Sequence, residues 1–327
     1  MDKKVVVTGC SGFIGFHLSN SLLEADKQVI GIDSLNSAYD VKLKQKRLEK
    51  LDKNNNFTFF NNNLSQEDSL NEIKKYDIST IYHMAARAGV RQSFLDPQSY
   101  IEDNTYATAN VANFCKEIEI PEIILASTSS IYGDSGENLM VEDKDEKIKP
   151  PSVYASTKLS GESLSKIILE DTNTNLIISR FFTVYGPYGR PDMSILRFIH
   201  WIINEEKVKV FGNGEQQRSF TYIKDVVDAL RRMSGLENSH TFNVGSNITV
   251  SLNEVIKLIE EFSGKNANIE NLERAYKDPD VVRPNLDKIN EAIGWEPTTK
   301  IQEGIEKTVS WYKENEDYLK DLVYVNE

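Results

Sequence analysis

The sequence predicts an α/β protein in which a doubly wound parallel sheet is followed by a smaller mixed domain. Three observations predict this fold class. Short apolar runs alternate with helical patterns through the first 180 residues, a glycine triplet follows the first run, and the rhythm changes after residue 180. Almost continuously apolar strands are typical of parallel sheets covered by helices on both faces. We therefore predict one domain over residues 1–180, to which later segments return, and a second over residues 181–327.

Runs rich in β-branched and aromatic residues mark the strands of the first domain. They are predicted at residues 5–8, 29–33, 57–60, 79–83, 123–127 and 176–180. Helical patterns are predicted between them at residues 13–25, 41–53, 100–119 and 153–170. The pattern over residues 41–53 is rich in lysine, so we expect a solvated helix there.

The second part of the chain is more irregular, and its elements are shorter. The loop after residue 185 contains two glycines and two prolines. Helices are predicted at residues 192–204, 286–293 and 304–312, and a strand at residues 208–211. Ser251, followed three residues later by Glu254, is a capping-box pattern that predicts a further helix start.

The composition argues against several classes of protein. The 50 acidic and 38 basic residues give a net charge of −12, which disfavours a nucleic-acid backbone or an anionic membrane as the main partner. Two cysteines and four scattered histidines give no disulfide framework and no local zinc motif, so we expect no metal site. No run is long enough to span a bilayer and no secretory signal is evident, so a cytoplasmic protein is expected.

A glycine triplet follows the first predicted strand and opens the first predicted helix. In Gly9-Cys-Ser-Gly12-Phe-Ile-Gly15 the glycines allow a tight turn, a close approach to a pyrophosphate and close helix packing. The helix N-terminus presents N–H groups to phosphates. Asp33 ends the second strand, where a carboxylate accepts from ribose hydroxyls and repels a 2′-phosphate. This order predicts a Rossmann-like site for NAD rather than NADP, whereas a plain glycine-rich turn would explain only the triplet.

A tyrosine and a lysine are spaced to share one helix face. Tyr154 and Lys158 stand at i and i+4 in a predicted helix. A nearby ammonium group stabilises a phenolate and lowers the tyrosine pKa from about 10, which makes Tyr154 a candidate general acid or base. Lys158 is also a candidate ligand of the nicotinamide ribose. A surface tyrosine beside a solvated lysine is the alternative, because one such spacing is expected by chance.

Three hydroxyl residues stand at the end of another predicted strand. Thr128, Ser129 and Ser130 follow the apolar run at residues 123–127. The carboxyl ends of parallel strands face the ligand crevice of an open sheet, where hydroxyls can bond to a sugar hydroxyl or carbonyl. The alternative is a loop whose serines and threonine cap its own backbone.

Together these motifs resemble the extended short-chain dehydrogenase/reductase family, in particular its nucleotide-sugar epimerases and dehydratases. The segments GCSGFIG, HMAARAGV, STSSIYG, YASTK and RFFTVYGPYGRPDM occur in the family's order along nearly the whole chain. The last segment and AARAGVRQS are similar to those of UDP-glucuronate 4-epimerases.

The resemblance implies NAD as cofactor and a role for each motif. Tyr154 would take the proton from the sugar 4-hydroxyl with Lys158 in support, and Thr128 would assist at the 4-oxygen. Hydride would pass to NAD and return to the other face of a 4-keto sugar. Besides Tyr154 and Lys158, the implied NAD contacts are Gly9, Gly12, Phe13, Ile14, Gly15, Asp33, Asn63, Leu64, Ala85 and Ala86. Asn63 stands where the family commonly has an aspartate near the adenine, and an amide can still donate and accept.

The residues after Thr128 separate reactions within the family. Sugar 4,6-dehydratases have an Asp-Glu pair directly after this threonine. UDP-glucuronate decarboxylases have a Thr-Ser-Glu sequence at the same place. This chain has Ser129 and Ser130 with no carboxylate, which favours simple epimerisation. A carboxylate there would also repel an anionic uronate.

The resemblance also implies the substrate contacts. Thr183 and Arg190 are similar to the uronate-recognising set, and Arg190 could hold a carboxylate through its bidentate fork. The remaining implied contacts of a UDP-sugar are Ser129, Ser130, Arg91, Arg218, Lys277, Asp280 and Arg283. For Arg91 and Arg190 a surface salt bridge is the alternative.

Three functions remain open at this point. The leading one is 4-epimerisation of UDP-glucuronate and UDP-galacturonate, and the second is 4-epimerisation of a neutral UDP-hexose or UDP-N-acetylhexosamine. The third, a dinucleotide-sensing protein without chemistry, would have no use for Tyr154, Lys158 and Thr128 together. Relatives often form dimers through two helices of each subunit, so a homodimer through residues 100–119 and 153–170 is expected.

Overall fold

A seven-stranded parallel sheet forms the centre of the molecule. The computed structural model describes residues 3–134, 136, 138–142, 148–273 and 280–324. The strands of the sheet are β1 (Lys4–Thr8), β2 (Val29–Ile32), β3 (Phe57–Phe60), β4 (Ile78–His83), β5 (Glu122–Thr128), β6 (Asn175–Phe181) and β11 (His240–Val244). Their order is β11-β6-β5-β4-β1-β2-β3, and all neighbouring strands are parallel. The predicted doubly wound α/β fold is confirmed.

Helices cover both faces of this sheet and extend beyond it. They are α1 (Phe13–Glu24), α2 (Val41–Leu51), α3 (Gln92–Leu95), α4 (Pro97–Tyr100), α5 (Ala107–Glu117), α6 (Val153–Leu169), α7 (Ser194–Ile203), α8 (Ile223–Met233), α9 (Leu252–Ser263), α10 (Asp287–Ile293), α11 (Ile301–Glu314) and α12 (Glu316–Leu319). A single π-helical turn, Ile101–Tyr106, joins α4 to α5. None of the helices in the described ranges is long and apolar enough to cross a membrane.

Small strand pairs complete the second part of the chain. They are built from β7 (Thr183–Tyr185), β8 (Lys207–Phe211), β9 (Gln217–Arg218), β10 (Phe220–Tyr222), β12 (Val250–Ser251), β13 (Asn268–Leu272) and β14 (Val281–Val282). β10 pairs with β7 and β13 with β8, while β9 lies between β12 and β14. The predicted capping box is present, because Ser251 and Glu254 bond reciprocally at the start of α9.

Alternation along the strands divides the core between the two faces of the sheet. Val5 and Val7 of β1 pack into the apolar cluster shared with α1 and α8, whereas Val6 packs into the cluster shared with α5. Every residue of β2 and β5 is buried. These strands therefore read as continuous apolar runs, as expected for a sheet covered on both faces.

The order of the strands reverses beside β1, which creates a crevice. The chain moves from β1 outward through β2 and β3, then crosses to β4 on the other side of β1. Ligands of open α/β sheets bind at such a point, outside the carboxyl ends of the strands.

The lysine-rich helix α2 is not a fully solvated helix, and that expectation was wrong. Lys44 and Arg47 are buried, on the same face as Leu43 and Leu51. Arg47 donates to the carbonyl of Ser11 at 2.9 Å, and its other terminal nitrogen donates to the carbonyls of residues 188 and 189. A buried guanidinium is tolerated here because backbone carbonyls receive its protons.

His83, at the end of β4, is fully buried and gives the fold an acid-sensitive element. Its ring nitrogens bond to Thr8 at 2.7 Å and Thr108 at 3.1 Å. Burial, aided by the charge of Lys158, lowers the pKa of His83 from 6.5 to about 3. Below the unfolded pKa, the unfolded chain binds a proton that the folded chain excludes. The free energy of unfolding therefore falls with falling pH, by about 1.4 kcal/mol per unit.

We expect His83→Gln to weaken this acid sensitivity, because glutamine bonds to both threonines without titrating. Urea unfolding between about pH 6.5 and pH 4 should show a shallower loss of stability in the variant than in the parent. Between about pH 7 and pH 8 the two slopes should coincide, which serves as the control. Parallel slopes across the acid range would contradict a neutral buried His83.

Candidate active site

A cleft of about 350 Å³ lies at the carboxyl ends of β1, β4, β5 and β6, at the strand-order reversal. It brings together residues from segments spread between Gly9 and Met193. Its lining includes every residue predicted to contact NAD, which are Gly9, Gly12, Phe13, Ile14, Gly15, Asp33, Asn63, Leu64, Ala85, Ala86, Tyr154 and Lys158. It also includes the predicted substrate contacts Thr128, Ser129, Ser130, Thr183 and Arg190.

The glycine loop leaves room for a ligand because its backbone folds tightly on itself. Gly9 has φ +67°, and a Cβ there would lie 2.8 Å from the Cα of Ala85. A Cβ on Gly15 would lie only 2.1 Å from the Gly9 carbonyl oxygen. No side chain caps the start of α1 at Gly12. The first N–H groups of the helix thus face the cleft end of the loop, an arrangement that fits the phosphates of a dinucleotide.

Asp33 connects the end of β2 to this loop. Its carboxylate accepts from the backbone N–H of Ser11 at 3.1 Å and from that of Leu35 at 2.8 Å. The side chain lines the cleft beside Lys44, which donates to the carbonyl of Asn36 at 2.8 Å. Lys44 was missed as a cleft residue because the α2 pattern was interpreted as solvated.

Tyr154 and Lys158 lie on the face of α6 that is turned toward the cleft. Ser152 caps the helix by accepting from the backbone N–H of Ala155 at 3.1 Å. Tyr154 therefore stands in the first turn, where it lines the cleft together with Thr128. Lys158 follows one turn later and is buried. The i, i+4 spacing thus delivers both groups to one wall of the cleft.

The expected effect of Lys158 on Tyr154 is not the one found. Burial raises the pKa of Tyr154, while the bond with Thr128 and the charge of Arg190 act in the opposite direction. Burial also lowers the pKa of Lys158 to about 8, against the attraction of Glu162. The prediction that Lys158 lowers the tyrosine pKa was therefore wrong, because burial raises that pKa and the groups that oppose the rise are Thr128 and Arg190. A phenol with a raised pKa is protonated at neutral pH, so it needs further positive charge nearby to act as a base.

Thr128, Ser129 and Ser130 form a hydroxyl wall that lines the cleft and also caps its own backbone. Thr128 accepts from the backbone N–H of Ser130 at 3.2 Å and starts the short 3₁₀ helix Ser129–Tyr132. It is thus a local cap and also the partner of Tyr154. Two carboxylates lie among the described lining residues, Asp33 and Asp103, and Asp103 is paired with Arg87 at 2.8 Å.

A buried ion pair supports this wall from behind. Glu162 of α6 accepts from Ser127 at 2.5 Å and from Arg180 at 2.7 Å and 3.0 Å. Arg180 also donates to the hydroxyl of Tyr132 at 3.0 Å. Glu162 and Arg180 are 1% and 2% exposed. The pair joins α6, which carries Tyr154, to β5 and β6.

Arg190 lines the cleft, but its bidentate edge already holds a carboxylate. Its Nε and Nη2 donate to the two oxygens of Asp192 at 3.0 Å and 2.5 Å. Nη2 also donates to the carbonyl of Ala88 at 3.0 Å. Asp192 occupies this fork, so the salt-bridge alternative named for Arg190 is present, and the role of Arg190 as a substrate contact stays a prediction. Asp192 was missed because it lies in the loop before α7, where no helix or strand periodicity relates its side chain to Arg190.

The residues predicted for the nucleotide end lie outside the lining of this cleft, within the described part of the chain. Arg218 of β9 lies opposite Val282 of β14, so Asp280 and Arg283 come close to it in one small sheet. The backbone N–H of Gln217 donates to the carbonyl of Asp280 at 2.8 Å. The fold thus assembles these positions from segments about 60 residues apart. Lys277 lies outside the described residues.

Arg91 also lies away from the cleft lining formed by the described residues. Its guanidinium stacks on Phe211, with the guanidinium carbon 3.9 Å from the ring centroid. The contact joins the loop after β4 to the end of β8. In the described ranges no cluster of three or more histidine, cysteine, aspartate or glutamate side chains could hold a metal ion.

The fold and the site define an extended short-chain dehydrogenase/reductase of the nucleotide-sugar epimerase and dehydratase group. Within that class, the chain belongs to the GDP-mannose 4,6 dehydratase family, whose profile matches residues 6–308.

Relatives of known name cover almost the whole chain. It is 39% identical to a UDP-glucuronate 4-epimerase of Thermodesulfobacterium geofontis, over 97% of this chain and 98% of that one. The structure resembles a UDP-glucuronic acid 4-epimerase of Bacillus cereus in complex with UDP-glucuronic acid and NAD, with a TM-score of 0.88, 31% identity and 95% and 99% of the two chains covered. It also resembles a UDP-N-acetylglucosamine 4-epimerase of Methanobrevibacter ruminantium M1 in complex with UDP-N-acetylmuramic acid, with a TM-score of 0.86, 28% identity and coverages of 96% and 99%.

Proposed function

We propose that this protein is an NAD-dependent UDP-sugar 4-epimerase that acts through a transient 4-keto sugar, with UDP-glucuronate and UDP-galacturonate as its substrate pair. The placement of Tyr154, Lys158 and Thr128 in the same cleft as the glycine loop carries the proposal. A phenol and a hydroxyl that meet at one point can hold a single sugar oxygen and manage its proton.

The cleft fits NAD as the resident cofactor. The pyrophosphate of NAD fits the tight glycine loop at Gly9 and Gly15, which carries no side chain there, and the uncapped start of α1. The carboxylate of Asp33 fits a ribose of NAD. Bound NAD supplies a hydride acceptor that returns the hydride within one turnover. Its positive ring would also bring the charge that the raised pKa of Tyr154 requires.

The protein's own groups would then perform the proton transfer and the positioning. Tyr154 takes the proton of the sugar 4-hydroxyl and later returns it, while Thr128 holds the same oxygen. Lys158, one helical turn away and buried, holds ribose hydroxyls. Ser129 and Ser130 supply hydroxyls without a carboxylate. Elimination of water needs an acid and a base in that wall, so its composition favours epimerisation.

The choice of the uronate rests on several observations of different kinds. Thr183 and Arg190 line the sugar end of the cleft. The relatives from Thermodesulfobacterium geofontis and Bacillus cereus carry the name of a uronate 4-epimerase. A neutral UDP-hexose or UDP-N-acetylhexosamine is the second candidate, favoured by the pairing of Arg190 with Asp192 and by the relative from Methanobrevibacter ruminantium.

A comparison of three substrates tests this choice. We expect kcat/KM to be highest for UDP-glucuronate among UDP-glucuronate, UDP-glucose and UDP-N-acetylglucosamine, each followed by separation of the two epimers. A higher kcat/KM for either neutral sugar would overturn the uronate assignment and leave the 4-epimerase standing. If the parent converts all three UDP-sugars more slowly than a Tyr154→Phe control does, both the uronate assignment and the 4-epimerase assignment are overturned.

We expect Gly15→Ala to weaken NAD binding about tenfold or more. The added Cβ would lie 2.1 Å from the Gly9 carbonyl oxygen, so the loop that faces the pyrophosphate must move. Calorimetric titration of NAD measures the change. Gly161→Ala is the matched control, because its Cβ would meet the Thr108 side chain, at 3.3 Å from the methyl group and 3.4 Å from the hydroxyl oxygen, outside the loop. Equal NAD affinities in the two variants would contradict this role of the loop.

We also propose that Arg218, Lys277, Asp280 and Arg283 bind the UDP end of the substrate. A homodimer through residues 100–119 and α6 is proposed on the exposed side chains of Tyr106, at the end of the π-helical turn, and Ile167 of α6, which are 57% and 68% exposed. Light scattering after gel filtration would test the dimer.

The division at residue 180 into a cofactor domain and a substrate domain stays a proposal. A cytoplasmic location also stays a proposal, which two free cysteines favour.

A further inference from the structure

Arg190 and Asp192 form a charge pair built into one tight turn of the cleft wall. The backbone N–H of Met193 donates to the Arg190 carbonyl at 3.1 Å, which closes the turn over residues 190–193. The guanidinium edge and both carboxylate oxygens face each other in the bidentate geometry that suits them best. The partners are two residues apart, so the pair is local to this turn.

The pair is also fixed from outside the turn. Nη2 of Arg190 donates to the Ala88 carbonyl at 3.0 Å, and the hydroxyl of Tyr100 donates to the same oxygen at 3.2 Å. The guanidinium carbon lies 5.6 Å from the centroid of the Tyr39 ring. The side chains of Arg190 and Asp192 are 16% and 20% exposed. Arg190 therefore faces the cleft in a defined position with its charge compensated.

This compensation changes what the cleft offers to a sugar. A free guanidinium would favour a carboxylate strongly over a hydroxymethyl group. With Asp192 on its fork, an incoming carboxylate must share Arg190 with a like charge, whereas a neutral sugar meets no unpaired cation. The electrostatic difference between the two kinds of sugar is thus reduced by a residue that lies behind Arg190.

We propose that Asp192 is a specificity-determining residue that limits the preference of the site for uronates by compensating the charge of Arg190. The inference rests on the proposed function, since it concerns the sugar end of the same cleft. Removing the charge of Asp192 while keeping its shape should leave Arg190 with an uncompensated charge. The site should then select more strongly for a sugar that carries a carboxylate.

Asp192→Asn in the NAD-loaded protein tests the proposal. We expect the ratio of kcat/KM for UDP-glucuronate to that for UDP-glucose to rise about tenfold, mainly through a lower KM for the uronate. Asp192→Glu, which keeps the charge, should leave the ratio close to that of the parent. Adding Arg190→Met to Asp192→Asn should remove the gain, because the gain acts through the guanidinium.

An unchanged ratio in Asp192→Asn would overturn the proposal. A ratio that falls to the value of Arg190→Met alone would also overturn it, because Asp192 would then only hold Arg190 in position. Calorimetric binding of UDP-glucuronate and UDP-glucose to the same NAD-loaded variants separates this question from catalysis. If the parent converts neither sugar, the proposed function fails. In that case the ratio of the binding constants for UDP-glucuronate and UDP-glucose still tests the inference about Asp192.

Discussion

Tyr154→Phe is expected to lower kcat by about 10²–10⁴-fold, the usual contribution of a positioned general acid or base. The change removes the hydroxyl that bonds with Thr128 and keeps the ring that packs edge-on against Tyr100 at 6.3 Å. The cleft should therefore keep its shape, and the affinities for NAD and UDP should stay close to those of the parent. Single-turnover conversion of the sugar measures the loss, and calorimetry measures the affinities.

Tyr100→Phe is the matched control. It removes a neighbouring phenol whose hydroxyl donates to the Ala88 carbonyl at 3.2 Å. We expect little change in kcat, because that hydroxyl serves the backbone. Equal losses in the two variants would show that the phenol of Tyr154 is structural, and an active Tyr154→Phe would remove it from the role of base.

Arg180→Met is expected to lower the free energy of unfolding by about 3–5 kcal/mol. The substitution leaves Glu162, which is 1% exposed, as a buried carboxylate without its guanidinium. Ser127 alone would remain to donate to it, at 2.5 Å. Urea unfolding at neutral pH measures the loss.

The double variant Glu162→Leu/Arg180→Met separates the ion pair from its parts. We expect it to be markedly more stable than Arg180→Met, because no buried charge is left unpaired. Its kcat should still fall below that of the parent, since α6 loses its link to Ser127 beside Thr128. If the double variant is as unstable as the sum of the two single variants, Glu162 and Arg180 are not coupled, and the loss in Arg180→Met does not come from an unpaired charge.

The sequence predicted most of the central sheet because its strands are locally encoded. β1, β5 and β6 are apolar runs bounded by polar residues, and their buried residues alternate between the two faces. β11 was missed, since its five residues include His240, Thr241 and Asn243 and acquire strand geometry by pairing with β6. β11 is an edge strand, and its partner β6 lies about 60 residues earlier in the chain. The local sequence pattern therefore does not predict this pairing.

The residues of the candidate site likewise divide into those that local sequence spacing predicts and those that it does not. The glycine loop, Tyr154 and Lys158 were predictable because fixed spacings connect the residue types to their geometry. The buried role of Arg47 was not, because two of its three carbonyl partners lie 141 and 142 residues further along the chain. The direction of the Tyr154 pKa shift was also beyond the sequence, since it depends on burial within the assembled cleft.

In the proposed function, oxidation and reduction occur at the same sugar carbon within one active site. Incubation of the NAD-loaded protein with UDP-glucuronate deuterated at C4 tests it, with the products followed by proton NMR. We expect UDP-galacturonate that retains deuterium at C4, without net accumulation of NADH. A pentose product, or replacement of the C4 deuterium by solvent hydrogen, would contradict a closed hydride cycle above the Tyr154 and Thr128 wall.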